Sequence, residues 1–287
     1  MLSQIRAELH QGLRTEPAVR LPYTRRAFRM LPSLDRPRIL DMGCGPGDPT
    51  LELARLGSGY VVGLDTDRGS LAMLRKQAVQ TGLDHRVLAV AGSMQAPCFD
   101  DGSFDLIWSE GAIWALGFEE GLRQWRRLIV PGGFLVVHEM AWLQPDPPAE
   151  LRHHCLGQNA GIRTLPEFVA AIPRCGYEPL NFFALPEDAW WKAYFQPFQE
   201  RVTAVRNKYR DNPAAQAVID REQYEIDLYL RYQKWYGSAF IVMRRAKVSF
   251  EEREVSSKAA SPAATAFPKP AASHALTDKP VDTGGPN

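Results

Sequence analysis

The run Ile39-Leu40-Asp41-Met42-Gly43-Cys44-Gly45-Pro46-Gly47 limits what this chain can fold into more than any other stretch. A short apolar pattern of strand type ends at an acid, three alternating glycines follow, and a helical pattern begins near Thr50. Glycine turns the backbone tightly and lets a ligand approach where a Cβ would otherwise stand. A loop at the carboxyl end of a buried strand opens on the crevice where open α/β sheets bind ligands. The dinucleotide fingerprint G-x-G-x-x-G sets a pyrophosphate on a helix N-terminus. Here the third glycine comes one residue early, and Asp41 stands two residues before the first. An acid there suits a cationic ammonium rather than a pyrophosphate, so a nicotinamide-dependent oxidoreductase is disfavoured.

Apolar runs at 38–41, 60–64, 87–90, 104–108 and 134–137 alternate with helical patterns at 50–57, 69–82 and 118–129. Two further strand-like runs lie at 180–185 and 238–243. Short apolar runs bounded by Gly, Pro or Asp are the pattern of strands buried on both faces. Strand–helix alternation at this spacing predicts an α/β, doubly wound, mostly parallel seven-stranded sheet with helices on both faces. Thr164 with Glu167 three residues on reads as a capping box, and Gly176 as a helix C-cap. A charged amphipathic helix is expected from about Ala214 to Lys234. The expected organisation is a helical segment at 1–36 covering the cleft, one domain at 37–246 that includes an aromatic helical crossover at 186–235, and a disordered tail at 247–287. The tail is rich in Ala, Pro, Ser and Thr and has too little apolar surface to fold.

Composition narrows the partners. The 34 basic and 33 acidic side chains leave a formal charge of +1, unlike the basic stripe of a nucleic-acid binder. No apolar run approaches the ~20 residues that cross a bilayer, so no membrane insertion is expected. No secretory pattern opens the chain, which makes the cytoplasm the expected location. Cys44, Cys98, Cys155 and Cys175 are scattered without C-x-x-C spacing. His153-His154-Cys155 are consecutive and cannot converge on one ion from a helix, so no metal is expected. A monomer or homodimer is expected.

The second strand pattern ends at Asp65, twenty residues past Gly45, where a carboxylate can accept hydrogen bonds from both hydroxyls of a ribose. Asp65 can equally cap the following helix, a role open to Asp67 as well. Asp41 to Gly47, with Gly92-Ser93-Met94, Phe104-Asp105-Leu106-Ile107 and Leu128 to Gly133, resembles the class I S-adenosylmethionine-dependent methyltransferases, whose first motif is D-x-G-x-G-x-G. The run Trp108-Ser109-Glu110-Gly111-Ala112-Ile113 resembles a bacterial small-molecule branch near the ubiquinone/menaquinone methyltransferases. The resemblance implies a Rossmann-like methyltransferase fold, S-adenosyl-L-methionine as cofactor and a small-molecule acceptor. It implies cofactor contacts from Asp41, Gly43, Gly45, Gly47, Asp65, Thr66, Ser93, Met94 and Ser109. Ser93 departs from the Asp of many members.

Methyl transfer from a sulfonium needs chiefly a near-attack geometry, worth roughly 7–11 kcal/mol. A general base adds ~10²–10⁴-fold where the acceptor must lose a proton. Glu110 and His138, at the ends of the fourth and fifth strands, are the candidate bases, with Glu139 turned away by strand alternation. Tyr23, Trp114, Trp190, Trp191 and Tyr194 are the candidate acceptor wall, with Phe195 and Phe198 in the same cluster. Packing of a helix onto the core is the competing account of these rings. Two other readings of the chain stay open: an aminopropyl-type transferase, and a regulatory module that binds the cofactor without reacting.

Overall fold

A computed structural model describes residues 2–10, 17–158 and 161–247. The tail expected at 247–287 lies outside the described residues except for Lys247. In the first half, α1 (Leu2–His10) and α2 (Pro17–Arg29) precede β1 (Arg38–Met42), α3 (Asp48–Leu56), β2 (Tyr60–Asp65), α4 (Arg68–Gln80) and β3 (Val87–Ala91). Then come β4 (Phe104–Glu110), α5 (Phe118–Trp125), β5 (Ile129–Trp142), α6 (Ala149–Gln158), β6 (Arg163–Thr164) and α7 (Leu165–Ala171). The chain continues through β7 (Tyr177–Ala184), α8 (Glu187–Trp190), a π-helical turn over Trp191–Phe195, α9 (Gln196–Lys208), α10 (Pro213–Tyr232) and β8 (Tyr236–Arg245). The strands lie in the order β3-β2-β1-β4-β5-β8-β7, with β6 paired to the end of β5. The five strands β3 to β5 are parallel, β8 is antiparallel to β5, and β7 is antiparallel to β8.

Side-chain alternation along the strands divides the core in two. Ile39, Val61, Leu106, Trp108, Val136 and Phe240 pack with α2, α3 and α4. Leu40, Val62, Ile107, Leu135 and Ile241 face the other way, onto Leu122 and Trp125 of α5 and Phe168 of α7. A third core joins α1, α6, α9 and α10 around Trp142, Phe198, Ile226, Tyr229 and Tyr236. Trp142 and Tyr236 pair across β5 and β8 at the carboxyl end of β5, so this helical cap sits at the carboxyl edge of the parallel strands.

The expected strands and helices all form, with two differences. β5 runs fourteen residues instead of four, because Phe104 pairs with Ile129 while Leu106 pairs with Phe134, so Pro131-Gly132-Gly133 is absorbed as a bulge. An eighth strand, β6, is two residues long, too short for any apolar period to announce it. The capping box of Thr164 and Glu167 is present, and Gly176 holds a left-handed cap at φ 80°. Among the described residues no helix is long and apolar enough to cross a membrane.

Gly47 starts α3 at φ +95°, and a Cβ there would stand 2.3 Å from Leu74 Cδ1 of α4. Gly47→Ala therefore combines a left-handed backbone with an intrusion into packed helix contacts. A loss of about 2 kcal/mol is expected in urea unfolding, and a loss below about 0.5 kcal/mol would mean that the loop relaxes freely.

Candidate active site

The parity that packs β1, β4 and β5 against α2 and α3 also orders their ends. Asp41 pairs with Trp108, and Glu110 pairs with His138, whose next neighbour across β8 is Phe240. Asp41, Glu110 and His138 thus follow one another along one face, at the carboxyl ends of three adjacent strands.

The glycine loop is held by its own backbone. The N–H groups of Gly43 and Cys44 donate to the Leu64 carbonyl at 2.8 and 3.1 Å, tying the loop to the end of β2. Asp65 accepts from Gly45 N–H and Asp67 N–H, both at 2.8 Å. Asp67 caps α4, accepting from Gly69 and Ser70. A cleft of about 560 Å³ opens beside the loop, lined by Asp41, Gly43, Gly45, Asp67, Ser70 and Glu110 among others. A Cβ built on Gly45 would meet no atom within 4 Å, so this glycine faces open space. Asp41 is buried and accepts from Thr50 Oγ1 at 2.6 Å. Burial pushes its carboxyl up to about 7 against the pull of the Thr50 bond, and the charge of Glu110 adds to the rise. Asp41, Asp48, Asp67 and Glu110 line the cleft with Arg20 and His10, so the site carries more acid than base.

The remaining expected contacts are distributed around the loop. Met94 is beside it, its Cε 3.2 Å from where a Gly43 Cβ would stand, while its carbonyl accepts from Trp125 Nε1. The Ser93 hydroxyl accepts from Gln95 N–H, and Thr66 lies in the bend between β2 and α4. Ser109 is fully buried and its hydroxyl donates to the Met42 carbonyl at 3.3 Å, tying β4 to β1.

Glu110 is surrounded by donors. Arg20 and Thr24, one turn apart on α2, donate at 2.7 and 2.8 Å, and Trp108 Nε1 donates at 2.9 Å. Burial raises its carboxyl, but the charge of Arg20 and these hydrogen bonds outweigh that and hold it below the usual carboxylate range. Glu110 therefore anchors α2 over the sheet. Arg20 and Thr24 are absent from the expected site because each lies more than eighty residues from Glu110, and no local pattern links them.

Glu110 and Arg20 also line a second cavity, of about 500 Å³. Its walls bring together Tyr23 of α2, Trp114, His138, Trp190, Tyr194 and Phe195. Trp191 does not line it; the ring stacks on Tyr229 at 6.4 Å and 9°. Trp190 also approaches Tyr229, at 6.3 Å, but reaches the cavity wall as well. Phe198 is buried in the cap core. His138 packs on Phe240 at 4.7 Å, and its Nε2 is buried with no hydrogen-bond partner among the described residues. Burial pulls this imidazole down to about 4, so the ring is neutral. Glu139 turns instead to the backbone N–H groups of Trp114 and Met140, and burial pushes it up to about 7.

A further acid, Glu225 of α10, enters the cavity wall. No period in the sequence marks it: the buried stripe of this helix runs through Ile219, Glu222, Ile226 and Tyr229, and Glu225 lies beside it.

Residues 39–133 match the methyltransferase-domain family. The chain is 28% identical over 247 residues to 27-O-demethylrifamycin SV methyltransferase of Amycolatopsis mediterranei, covering 79% of this chain and 85% of that one. It is 32% identical over 110 residues to a sterol 24-C-methyltransferase of Aspergillus fumigatus, and spans only 29% of that protein's length. A crystal structure of a methyltransferase from Geobacter sulfurreducens in complex with S-adenosyl-L-homocysteine superposes with a TM-score of 0.67 at 21% identity, over 84% of this chain and 97% of that one.

Proposed function

We propose that this chain, whose residues 39–133 match the methyltransferase-domain family, binds S-adenosylmethionine in the glycine-loop cleft and methylates a small-molecule hydroxyl held in the aromatic cavity. The observation that carries this reading is the meeting of the two cavities: Arg20 and Glu110 line both. A donor in one and an acceptor in the other would meet beside Glu110.

The residues present fit the cofactor. Asp41 offers a carboxylate to an ammonium, Gly45 leaves the loop open, and the acidic lining suits a sulfonium. Bound there, the cofactor supplies an already activated methyl group. The chain's own contribution is placement and proton acceptance. The aromatic walls orient the acceptor and exclude water. The neutral His138 has an unpartnered Nε2, so it can take the proton that a hydroxyl loses as its oxygen is methylated. Glu110, ionised and bonded to three donors, positions α2 and the Arg20 partition between the cavities.

Calorimetric titration with S-adenosylhomocysteine and product assays across phenolic, alcoholic and tertiary-amine acceptors test the reading. Binding in the micromolar range and turnover fastest on hydroxyl acceptors are expected. No cofactor binding would refute methyl transfer outright. Binding without turnover on any acceptor would favour a regulatory module.

A further inference from the structure

The aromatic cavity has an acid that the methyl-transfer chemistry does not use. Glu225 projects from α10 into a wall shared with Trp190, Tyr194 and Phe195, and it also lines an adjoining lobe with Tyr236 and Cys155. Among the described residues no side chain or backbone group donates a hydrogen bond or ion pair to it, although its neighbour one turn earlier is well supplied. Glu222, itself buried, is paired with His10 Nε2 at 3.2 Å and Arg6 Nε at 3.5 Å. The basic groups of α1 are thus engaged by Glu222. Burial, reinforced by the charge of Glu222, pushes the Glu225 carboxyl up against a weaker pull from His10.

A carboxylate among aromatic rings and without a partner is costly, because desolvation of the charge is not offset. A ligand that brings a cation removes that cost, and ring faces around the carboxylate attract the same cation through their quadrupoles. A neutral hydroxyl gains only one ordinary hydrogen bond there. The other polar end of the cavity is different in kind. His138 offers a neutral ring nitrogen that accepts a proton and cannot hold an ammonium as an ion pair.

We propose that the acceptor is an aromatic or aliphatic hydroxyl compound bearing a protonated amine, with the amine paired to Glu225 inside the Trp190, Tyr194 and Phe195 rings and the hydroxyl at His138. This selectivity rests on the methyl-transfer reading only for the identity of the reacting end; the amine site stands on the cavity itself.

Two probes of the same shape separate the outcomes: tyramine, a phenol with an ethylammonium arm, and 4-ethylphenol, which lacks the ammonium. Both are titrated into the full chain at pH 7.5, with and without S-adenosylhomocysteine, and followed by tryptophan fluorescence and calorimetry. Tyramine is expected to bind at least about tenfold more tightly. In Glu225→Gln, which keeps the side-chain shape, the ratio is expected to fall to about one, with S-adenosylhomocysteine affinity unchanged and a melting temperature at or above that of the wild-type chain. Equal binding of the probes to the wild-type chain, no binding of either, or a ratio that survives Glu225→Gln would overturn the proposal. A tenfold ratio in a chain that fails to bind S-adenosylhomocysteine would keep the amine site and remove the methyl-transfer reading, so the two fail separately.

Discussion

Asp41→Asn is expected to weaken S-adenosylmethionine binding about 100-fold, close to 3 kcal/mol, without destabilising the cofactor-free fold. The two effects separate because the buried carboxyl is costly to the empty protein. Asp41 titrates near 7 in the fold, against an ordinary value of 3.8. A folded value raised in this way means that the native state binds the extra proton between about pH 4 and 7. Its contribution to stability is therefore present below pH 4 and lost as pH rises through 7. Asn keeps an oxygen for the Thr50 hydroxyl and does not titrate, so at pH 8 the variant is expected to melt at or above the wild-type temperature. The same linkage predicts proton release when a cationic cofactor binds, with wild-type affinity rising between pH 6 and 8. Calorimetry in buffers of different ionisation enthalpy reads this directly. A variant that loses stability and affinity together would show that Asp41 serves the loop rather than the ligand.

His138→Gln is expected to lower kcat on hydroxyl acceptors by about 10²-fold while leaving cofactor affinity unchanged. Tertiary-amine acceptors lose no proton, and their turnover, where present, is expected to survive the substitution. Because the wild-type imidazole titrates near 4 instead of 6.5, it stays neutral from pH 5 to 8. At saturating cofactor the hydroxyl reaction is therefore expected to be flat over that range as far as His138 is concerned, and to fall as pH approaches 4. The stability contribution has the same sign. The unfolded chain takes the proton first, so stability is lost as pH falls from about 6.5 through 4. In the Gln variant that part of the acid loss disappears. Equal damage to hydroxyl and tertiary-amine acceptors would reduce His138 to a packing residue beside Phe240.

The glycine loop was legible because its chemistry is local. Asp41, Gly43, Gly45, Gly47 and Asp65 are set by the end of one strand and the next, and the backbone bonds from Gly43, Cys44 and Gly45 tie those ends together, with Asp67 rather than Asp65 as the helix cap. The capping box at Thr164 was legible for the same reason, being a contact across three residues. Glu139 was expected to turn from its neighbour on strand parity alone, and it bonds to Trp114 and Met140 N–H. The role of Glu110 was not legible. Its partners come from α2, so its pattern as a lone acid at a strand end gave no hint that Arg20 and Thr24 hold it. Trp190 and Trp191 were both candidates for the acceptor wall, and only packing against α10 decides that Trp190 lines the cavity while Trp191 stacks on Tyr229.

The sequence by itself determined the sheet, the loop at its edge and the acids at its strand ends, because strand period, glycine freedom and capping act over a few residues. Tertiary structure alone decided what those ends confront. α2 closes over Glu110 and α10 carries Glu225 into an aromatic cavity, and His138 is left with an unpartnered nitrogen. Each of these depends on packing between segments distant along the chain, where burial rather than residue order sets the charge, the partner and the proton.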